Sequence, residues 1–185
     1  MSKAVLMSIQ PKWCELIASG KKTIEVRKTR PKIETPFKCY IYQTKLKWFF
    51  NLLRKMGLSD LANKLFIAKG KIIGEFVCDS LIWVVAHPDI FAGHPLYYSQ
   101  AIVDACLTRY EAEKYSGGKD VYGYHISDLI IYDEPKELSA FRRACPDNVY
   151  SCAMCRHGDF TGMKCTPIKR PPQSWCYVEE GENNE

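Results

Sequence analysis

The sequence predicts an α+β fold, because strand-like runs and a few helix-like segments share one chain of 185 residues. Short alternating or continuous apolar runs, bounded by glycine and proline, are typical of strands. Between some of them, apolar residues recur at three- and four-residue spacing, as on one face of a helix. With 46% hydrophobic residues, the chain is long enough for a sizeable core. We therefore expect one domain over 1–185, with insertions at 45–68 and 144–168.

The N-terminal residues predict a strand followed by a helix. Residues 4–9, AVLMSI, form a mostly apolar run typical of a buried strand. Pro11 suits the first turn of a helix, and Gly20 supplies the left-handed conformation that often ends one. The apolar stripe of this helix consists of Trp13, Leu16 and Ile17.

The remaining elements are predicted from the same patterns. Thr108 followed three residues later by Glu111 is a capping box, which marks the start of a helix. In order, the chain predicts a loop at 29–37, a strand at 38–44, a helical insertion at 45–68, a β-rich run at 70–85, helices at 99–107 and 107–115, and strands at 122–133 and 175–179.

Charge is distributed unevenly along the chain. Residues 1–71 carry 16 Lys and Arg against 4 Asp and Glu, whereas residues 72–185 carry 10 against 17. The front part is therefore strongly basic, which favours a polyanionic partner such as nucleic acid. The alternative is that the lysines only keep the surface soluble while the aromatic residues fill a core. The aromatic residues interleaved with the basic ones are Trp13, Tyr40, Tyr42, Trp48, Phe49 and Phe50.

The chain shows neither a long apolar run of the kind that spans a membrane nor the apolar segment of a signal peptide. We therefore expect a cytoplasmic protein with no membrane partner. Nine cysteines in a reducing compartment indicate buried thiols or metal ligands rather than disulfides.

The stretch Ser19 to Lys28 is the candidate site. Read as a strand from Thr23, it turns Ile24 and Val26 to one face and Glu25 and Arg27 to the other, which predicts a buried side and a chemical side. Lys22 stands at the start of the strand, over the mouth of the expected pocket. A carboxylate between two cations leaves one positive charge for an anionic ligand. The alternative is a solvated edge strand in which Glu25 pairs only with Arg27.

Five of the nine cysteines lie after residue 144, and they suggest a structural zinc site. Cys152 and Cys155 have the two-residue spacing that lets two thiolates bind one tetrahedral Zn²⁺. Cys165 would be the third ligand. Cys145 is favoured as the fourth, with Cys176 and His157 as alternatives. A reduced loop without metal is the competing interpretation.

Residues 20–27, GKKTIEVR, match the Gly-x-Lys-x-x-Glu-x-Arg signature of the ASCH family in the PUA-like superfamily. The chain resembles bacterial and phage members of this family over about residues 3–133 and again at 170–177. The resemblance implies a PUA-like small β-barrel with flanking helices. The helical insertion and the cysteine-rich, zinc-knuckle-like segment would be additions to it.

The resemblance also implies binding of RNA, or of another nucleic acid or modified nucleoside, in a basic cleft. The residues assigned to that cleft are Lys21, Lys22, Glu25, Arg27, Trp13 and His125. As an alternative, some relatives are N4-acetylcytidine amidohydrolases or ribonucleases, in which case Lys22 and Glu25 would be catalytic. Glu25 occupies the position of the amidohydrolases' threonine, and a carboxylate does not replace that residue's acyl-transfer role. The sequence leaves open whether the protein is an enzyme.

Overall fold

The computed structural model describes residues 3–45, 70–84, 95–144 and 167–179. The helical insertion predicted at 45–68 and most of the cysteine-rich segment lie outside these ranges. The described elements are the strands β1 (Lys3–Ile9), β2 (Ile24–Arg27), β3 (Phe37–Gln43), β4 (Ile72–Cys78), β5 (Leu81–Val84), β6 (Val121–His125), β7 (Ser127–Lys136) and β8 (Trp175–Glu179), the helices α1 (Pro11–Ala18), α2 (Pro95–Asp104) and α3 (Arg109–Ser116), and a 3-10 turn (Leu138–Ala140).

The strands form two sheets, and the α+β prediction is confirmed. A five-stranded sheet has the order β7-β4-β3-β1-β8, and a three-stranded sheet has the order β2-β6-β5. β1 pairs with β3 in parallel and with β8 antiparallel, so Val5 lies between Cys39 and Tyr177. The predicted small barrel is not found: within the described ranges both sheets are open. β2, which lies between β1 and β3 in the chain, pairs antiparallel with β6 in the other sheet.

The chain divides into two compact units, whose boundaries fall inside α1, β3, β4 and β7. The first unit contains residues 1–11, 38–75 and 131–185, and the second contains residues 12–37 and 76–130. The prediction of one domain over 1–185 stays a prediction.

Each unit has its own apolar core. In the first unit the core includes Ala4, Leu6, Tyr40, Tyr42, Ile72, Leu138, Phe141, Ile168 and Val178. The rings of Tyr40 and Phe141 meet edge to face, with centroids 4.8 Å apart. In the second unit the core consists of Ile24, Val84, Ala101, Ala105 and Val121. In that core, residues of α2 pack against residues of β2, β5 and β6.

Most predicted elements are confirmed, with differences at their boundaries. β8 begins and ends as predicted, and α3 has the predicted capping box, in which the Thr108 side chain accepts a hydrogen bond from the Glu111 N–H. The β-rich run at 70–85 is interrupted after Cys78, and the strand at 122–133 is interrupted at Ile126. In both cases the sequence does not reveal the turn, because the turn residues include no glycine or proline.

The first helix begins at Pro11 and ends before Gly20, whose φ is +71°. Its apolar stripe is shifted from the prediction: Cys14 and Ile17 are buried, whereas Trp13 and Leu16 are half-buried. None of the helices in the described residues is long and apolar enough to cross a membrane.

Candidate functional site

The three charged residues of the signature come together in the second unit, and all three are buried. Lys22 lies in the turn after α1, while Glu25 and Arg27 lie on β2. Only 3% of Lys22, 5% of Glu25 and 8% of Arg27 is exposed. Charged residues are rarely this buried unless they are paired, so their partners decide what the site can do.

Glu25 is the centre of this ion network. One carboxylate oxygen lies 3.0 Å from a terminal nitrogen of Arg27, and the other lies 3.5 Å from Nζ of Lys22. Two cations and one carboxylate leave the group with one net positive charge. Because the pairs are buried, solvent and salt screen them much less than they screen surface ion pairs.

Lys22 has a further partner outside the signature. Its Nζ donates a hydrogen bond of 2.7 Å to the carbonyl oxygen of Ala105, just beyond α2. The chain reverses there through Cys106, whose φ is +53°. The N–H of Cys106 bonds to the Val103 oxygen and that of Leu107 to the Ile102 oxygen, the pattern of a Schellman motif. The negative end of the helix dipole thus meets a cation.

Burial and charge alter the acidity of groups around this network. Burial lowers the pKa of Lys22 from its ordinary value of 10.5, an effect that the negative Glu25 partly opposes. Burial also raises the pKa of Cys14, and the neighbouring Glu25 raises it further. Cys14 is therefore held as a neutral thiol beside the ion network.

The location of the charges differs from both interpretations of the sequence. Glu25 and Arg27 were predicted to line a chemical side, yet they are as buried as Ile24 on the opposite face. The solvated-strand alternative is also wrong, because these side chains are not in solvent, although β2 is an edge strand. Burial of both faces becomes possible because Glu25, Lys22 and the Ala105 carbonyl satisfy one another's charge and hydrogen bonds.

Two of the other predicted site residues lie beside this network. Nζ of Lys22 lies 5.1 Å from the centroid of the Trp13 ring, within the range of a cation–π contact. Lys21 is exposed, and its backbone oxygen accepts a hydrogen bond of 3.2 Å from the Cys106 thiol. Trp13 and Lys21 therefore lie beside the ion network, and their role in binding stays a prediction.

His125 lies elsewhere. It is opposite Ile24 in the β2–β6 ladder, so its side chain is on the other face from Glu25. Its Nδ1 lies 2.7 Å from a carboxylate oxygen of Asp79, and both side chains are about half exposed. The hydrogen bond with His125 is the main cause that lowers the pKa of Asp79.

Sequence reasoning missed a set of cation–aromatic contacts on the surface of the same unit. Lys12 lies 4.3 Å from the centroid of the Trp13 ring. Further contacts pair Lys28 with Tyr115 at 5.3 Å, Arg30 with Tyr122 at 5.9 Å and Lys114 with Tyr110 at 5.8 Å. All four cations are exposed. The tyrosines lie about 90 residues from the signature in the chain, so only the basic and aromatic composition hinted at the pairing.

The zinc prediction stays a prediction. Cys145, Cys152, Cys155, Cys165 and His157 lie outside the described residues. Among the residues that the structure does describe, no group of three or more His, Cys, Asp or Glu side chains could hold a metal ion. The remaining alternative ligand, Cys176, is half-buried, and burial raises the pKa of its thiol.

The protein is thus of the α+β class, with a buried Lys–Glu–Arg network after its first helix. The chain belongs to the ASCH domain family, which it matches over residues 7–124. The fold is accordingly of the ASCH, PUA-like type, without a closed barrel in the described ranges.

Solved structures show the same fold. The crystal structure of ASCH from Zymomonas mobilis is similar, with a TM-score of 0.52 and 17% identity, over 96% of this chain and 88% of that chain. A mutant of the same Zymomonas mobilis protein also gives a TM-score of 0.52 and 17% identity, over 97% and 92% of the two chains. No match was found among curated protein sequences.

Proposed function

We propose that this protein is an RNA-binding module, and that the second unit binds RNA through the cation–aromatic surface defined by Lys12, Trp13, Lys28, Arg30, Tyr115 and Tyr122. The observation that carries the proposal is the pairing of three exposed cations with three rings, at 4.3 to 5.9 Å. The association of the ASCH domain family with RNA binding supports it.

The two kinds of side chain supply the two parts of single-strand recognition. Lysine and arginine neutralise phosphates and release counterions, which gives affinity that falls with salt. Aromatic rings stack on unpaired bases, a contact worth about 1–3 kcal/mol per base. A cation that already lies over a ring places both kinds of contact within the reach of one nucleotide.

The buried ion network would act by positioning this surface. Lys22 joins the turn after α1 to the end of α2, and Glu25 joins Lys22 to Arg27 on β2. Burial raises the pKa of Tyr115, one of the surface rings, and the positive charge of Arg27 beside it acts in the opposite direction. Lys22, Glu25 and Arg27 would thus hold Trp13 and Tyr115 in place and add one net positive charge beneath them. Exposed Lys21 would contact phosphate directly.

Fluorescence anisotropy with a labelled oligouridylate of about 20 nucleotides, longer than typical single-strand sites, tests the proposal. The double variant Lys28→Glu/Arg30→Glu should weaken binding at least about tenfold and reduce the salt slope by about 1.4, or about 0.7 per lost phosphate contact. The matched control is Lys45→Glu/Lys119→Glu, which changes the net charge equally at two other exposed lysines. Equal effects of the two double variants, or no binding by the wild type, would contradict the proposal.

The enzyme alternative has no specific observation in its favour. Nζ of Lys22 donates a hydrogen bond to the Ala105 carbonyl and lies within ion-pair distance of Glu25. Both partners stabilise the charged form of the lysine. Hydrolysis of N4-acetylcytidine or of labelled RNA by the wild-type protein would support the enzyme alternative.

A further inference from the structure

The outer edge of the five-stranded sheet brings together basic residues that are far apart in the chain. Residues 142–144 run along the free side of β8: Arg143 bridges to Val178, and the Ala144 N–H donates a hydrogen bond of 3.2 Å to the Tyr177 oxygen. Arg142 in turn bridges to Pro167. The chain that leaves Pro167 leads through Lys169 and Arg170 into β8.

This edge is positively charged. The described residues of the edge carry five cations and one carboxylate; these are Lys3, Arg142, Arg143, Lys169, Arg170 and Glu179. Arg143, Lys169 and Arg170 are exposed. In the part of β7 that belongs to the same unit, the opposite edge of the sheet, Asp133 and Glu134 outnumber Lys136. A polyanion would therefore be drawn to the β8 edge rather than to the β7 edge.

Two aromatic rings lie at the same edge. Trp175 and Tyr177 are two residues apart on β8 and so share one face, where their ring centroids are 5.3 Å apart at an interplanar angle of 74°. Nζ of Lys3, on the neighbouring strand, lies 5.9 Å from the centroid of the Tyr177 ring. Both rings are half-buried, so each is fixed by its neighbours and still reaches the surface.

We propose that this edge, formed by β8 with residues 142–144 and 167–170, is a second contact surface for single-stranded RNA. Arg143 and Arg170 bind phosphates, and the Trp175–Tyr177 pair stacks an unpaired base. This inference rests on the proposed function, since it extends RNA binding from the second unit to the first. A single strand is the ligand because stacking on protein rings requires bases that are not already paired.

The same oligouridylate distinguishes the two surfaces. The variant Arg143→Glu/Arg170→Glu should weaken its binding at least about fivefold and lower the salt slope by about 1.4, while the control Lys45→Glu/Lys119→Glu changes neither. A duplex RNA of equal length should bind more weakly to the wild type. If Arg143→Glu/Arg170→Glu behaves like the control, or if the duplex binds equally well, the inference is overturned.

A second measurement uses the unaltered protein and does not depend on the folding of a variant. Photo-crosslinking of a strand containing 5-iodouridine, followed by mass spectrometry, should label the peptide with Trp175 and Tyr177 in addition to peptides of the second unit. Labelling confined to the second unit overturns the inference and leaves the proposed function intact. An absence of RNA binding by the wild type would overturn both.

Discussion

The ammonium nitrogen of Lys22 and the carbonyl oxygen of Ala105 are joined by a hydrogen bond of 2.7 Å across 83 positions of sequence. A backbone hydrogen bond joins the same two segments: the Thr23 N–H donates a bond of 2.9 Å to the Asp104 oxygen. The turn after α1, the start of β2 and the end of α2 are therefore tied at one place. Trp13, 5.1 Å from the same ammonium, is positioned by this junction.

Replacing Glu25 by glutamine should destabilise the protein strongly. The amide keeps the shape of the side chain but removes the negative charge, which leaves the Lys22 and Arg27 cations buried together. Breaking a buried ion pair from one side costs about 3–5 kcal/mol of unfolding free energy. Urea unfolding measures the change, and Glu34→Gln at an exposed position is the matched control. If the unfolding free energies of the two variants differed by less than about 0.5 kcal/mol, the ordinary range of surface substitutions, the prediction that the ion network stabilises the fold would be wrong.

The contribution of Lys22 to stability should depend on pH. Its folded pKa lies below 10.5, so between the two values the unfolded chain binds more protons than the folded chain. Stability therefore rises with pH through this window. The unfolding free energy of the wild type, minus that of Lys22→Met, should increase as the pH rises towards 10.5. A constant or falling difference would contradict the buried position of Lys22.

The Asp79–His125 pair can be tested by titration. The hydrogen bond with His125 lowers the pKa of Asp79 below 3.8, so its stabilising effect is present above pH 3.8 and is lost as pH falls through the folded pKa. In His125→Gln, the carboxyl signal of Asp79 in a carbon NMR titration should move up towards 3.8. The control Lys119→Gln should leave the Asp79 midpoint where it is. An unchanged midpoint in His125→Gln would assign the shift to another cause.

Zinc binding can be decided by metal analysis. Protein prepared with zinc under reducing conditions should contain about one zinc per chain, as four thiolate ligands would hold it. Cys152→Ser/Cys155→Ser should remove the metal, whereas Cys106→Ser, at a half-buried cysteine in the other unit, should retain it. Wild-type protein without zinc would refute the site.

Local sequence patterns predicted the features that depend on neighbouring residues, such as strand faces and helix ends. Alternation placed Glu25 and Arg27 on one face of a strand, Gly20 ended the first helix, and Thr108 with Glu111 marked the start of α3. Each depends on contacts within a few residues, which propensity and spacing describe.

The rest could not be predicted because it depends on contacts between distant segments. Lys22 can be buried because the carbonyl oxygen of Ala105, just beyond α2, accepts its hydrogen bond. A single sequence does not reveal that these two segments are close. The pairing of Lys28 with Tyr115 arises in the same way. The sheet topology of the described ranges is a related case, because strand patterns alone do not predict that β2 pairs with β6.

The bridge between Arg142 and Pro167 brings together two segments of the first unit that are well separated in the sequence. A hydrogen bond of 2.8 Å from the Ile168 N–H to the Phe141 oxygen strengthens the same junction. Because the bridge holds Arg142 and Pro167 together, doubling the length of the chain between them costs only about 0.6 kcal/mol of loop entropy. The junction between Arg142 and Pro167 therefore tolerates segments of different length and chemistry between its two sides, while the strands keep their register.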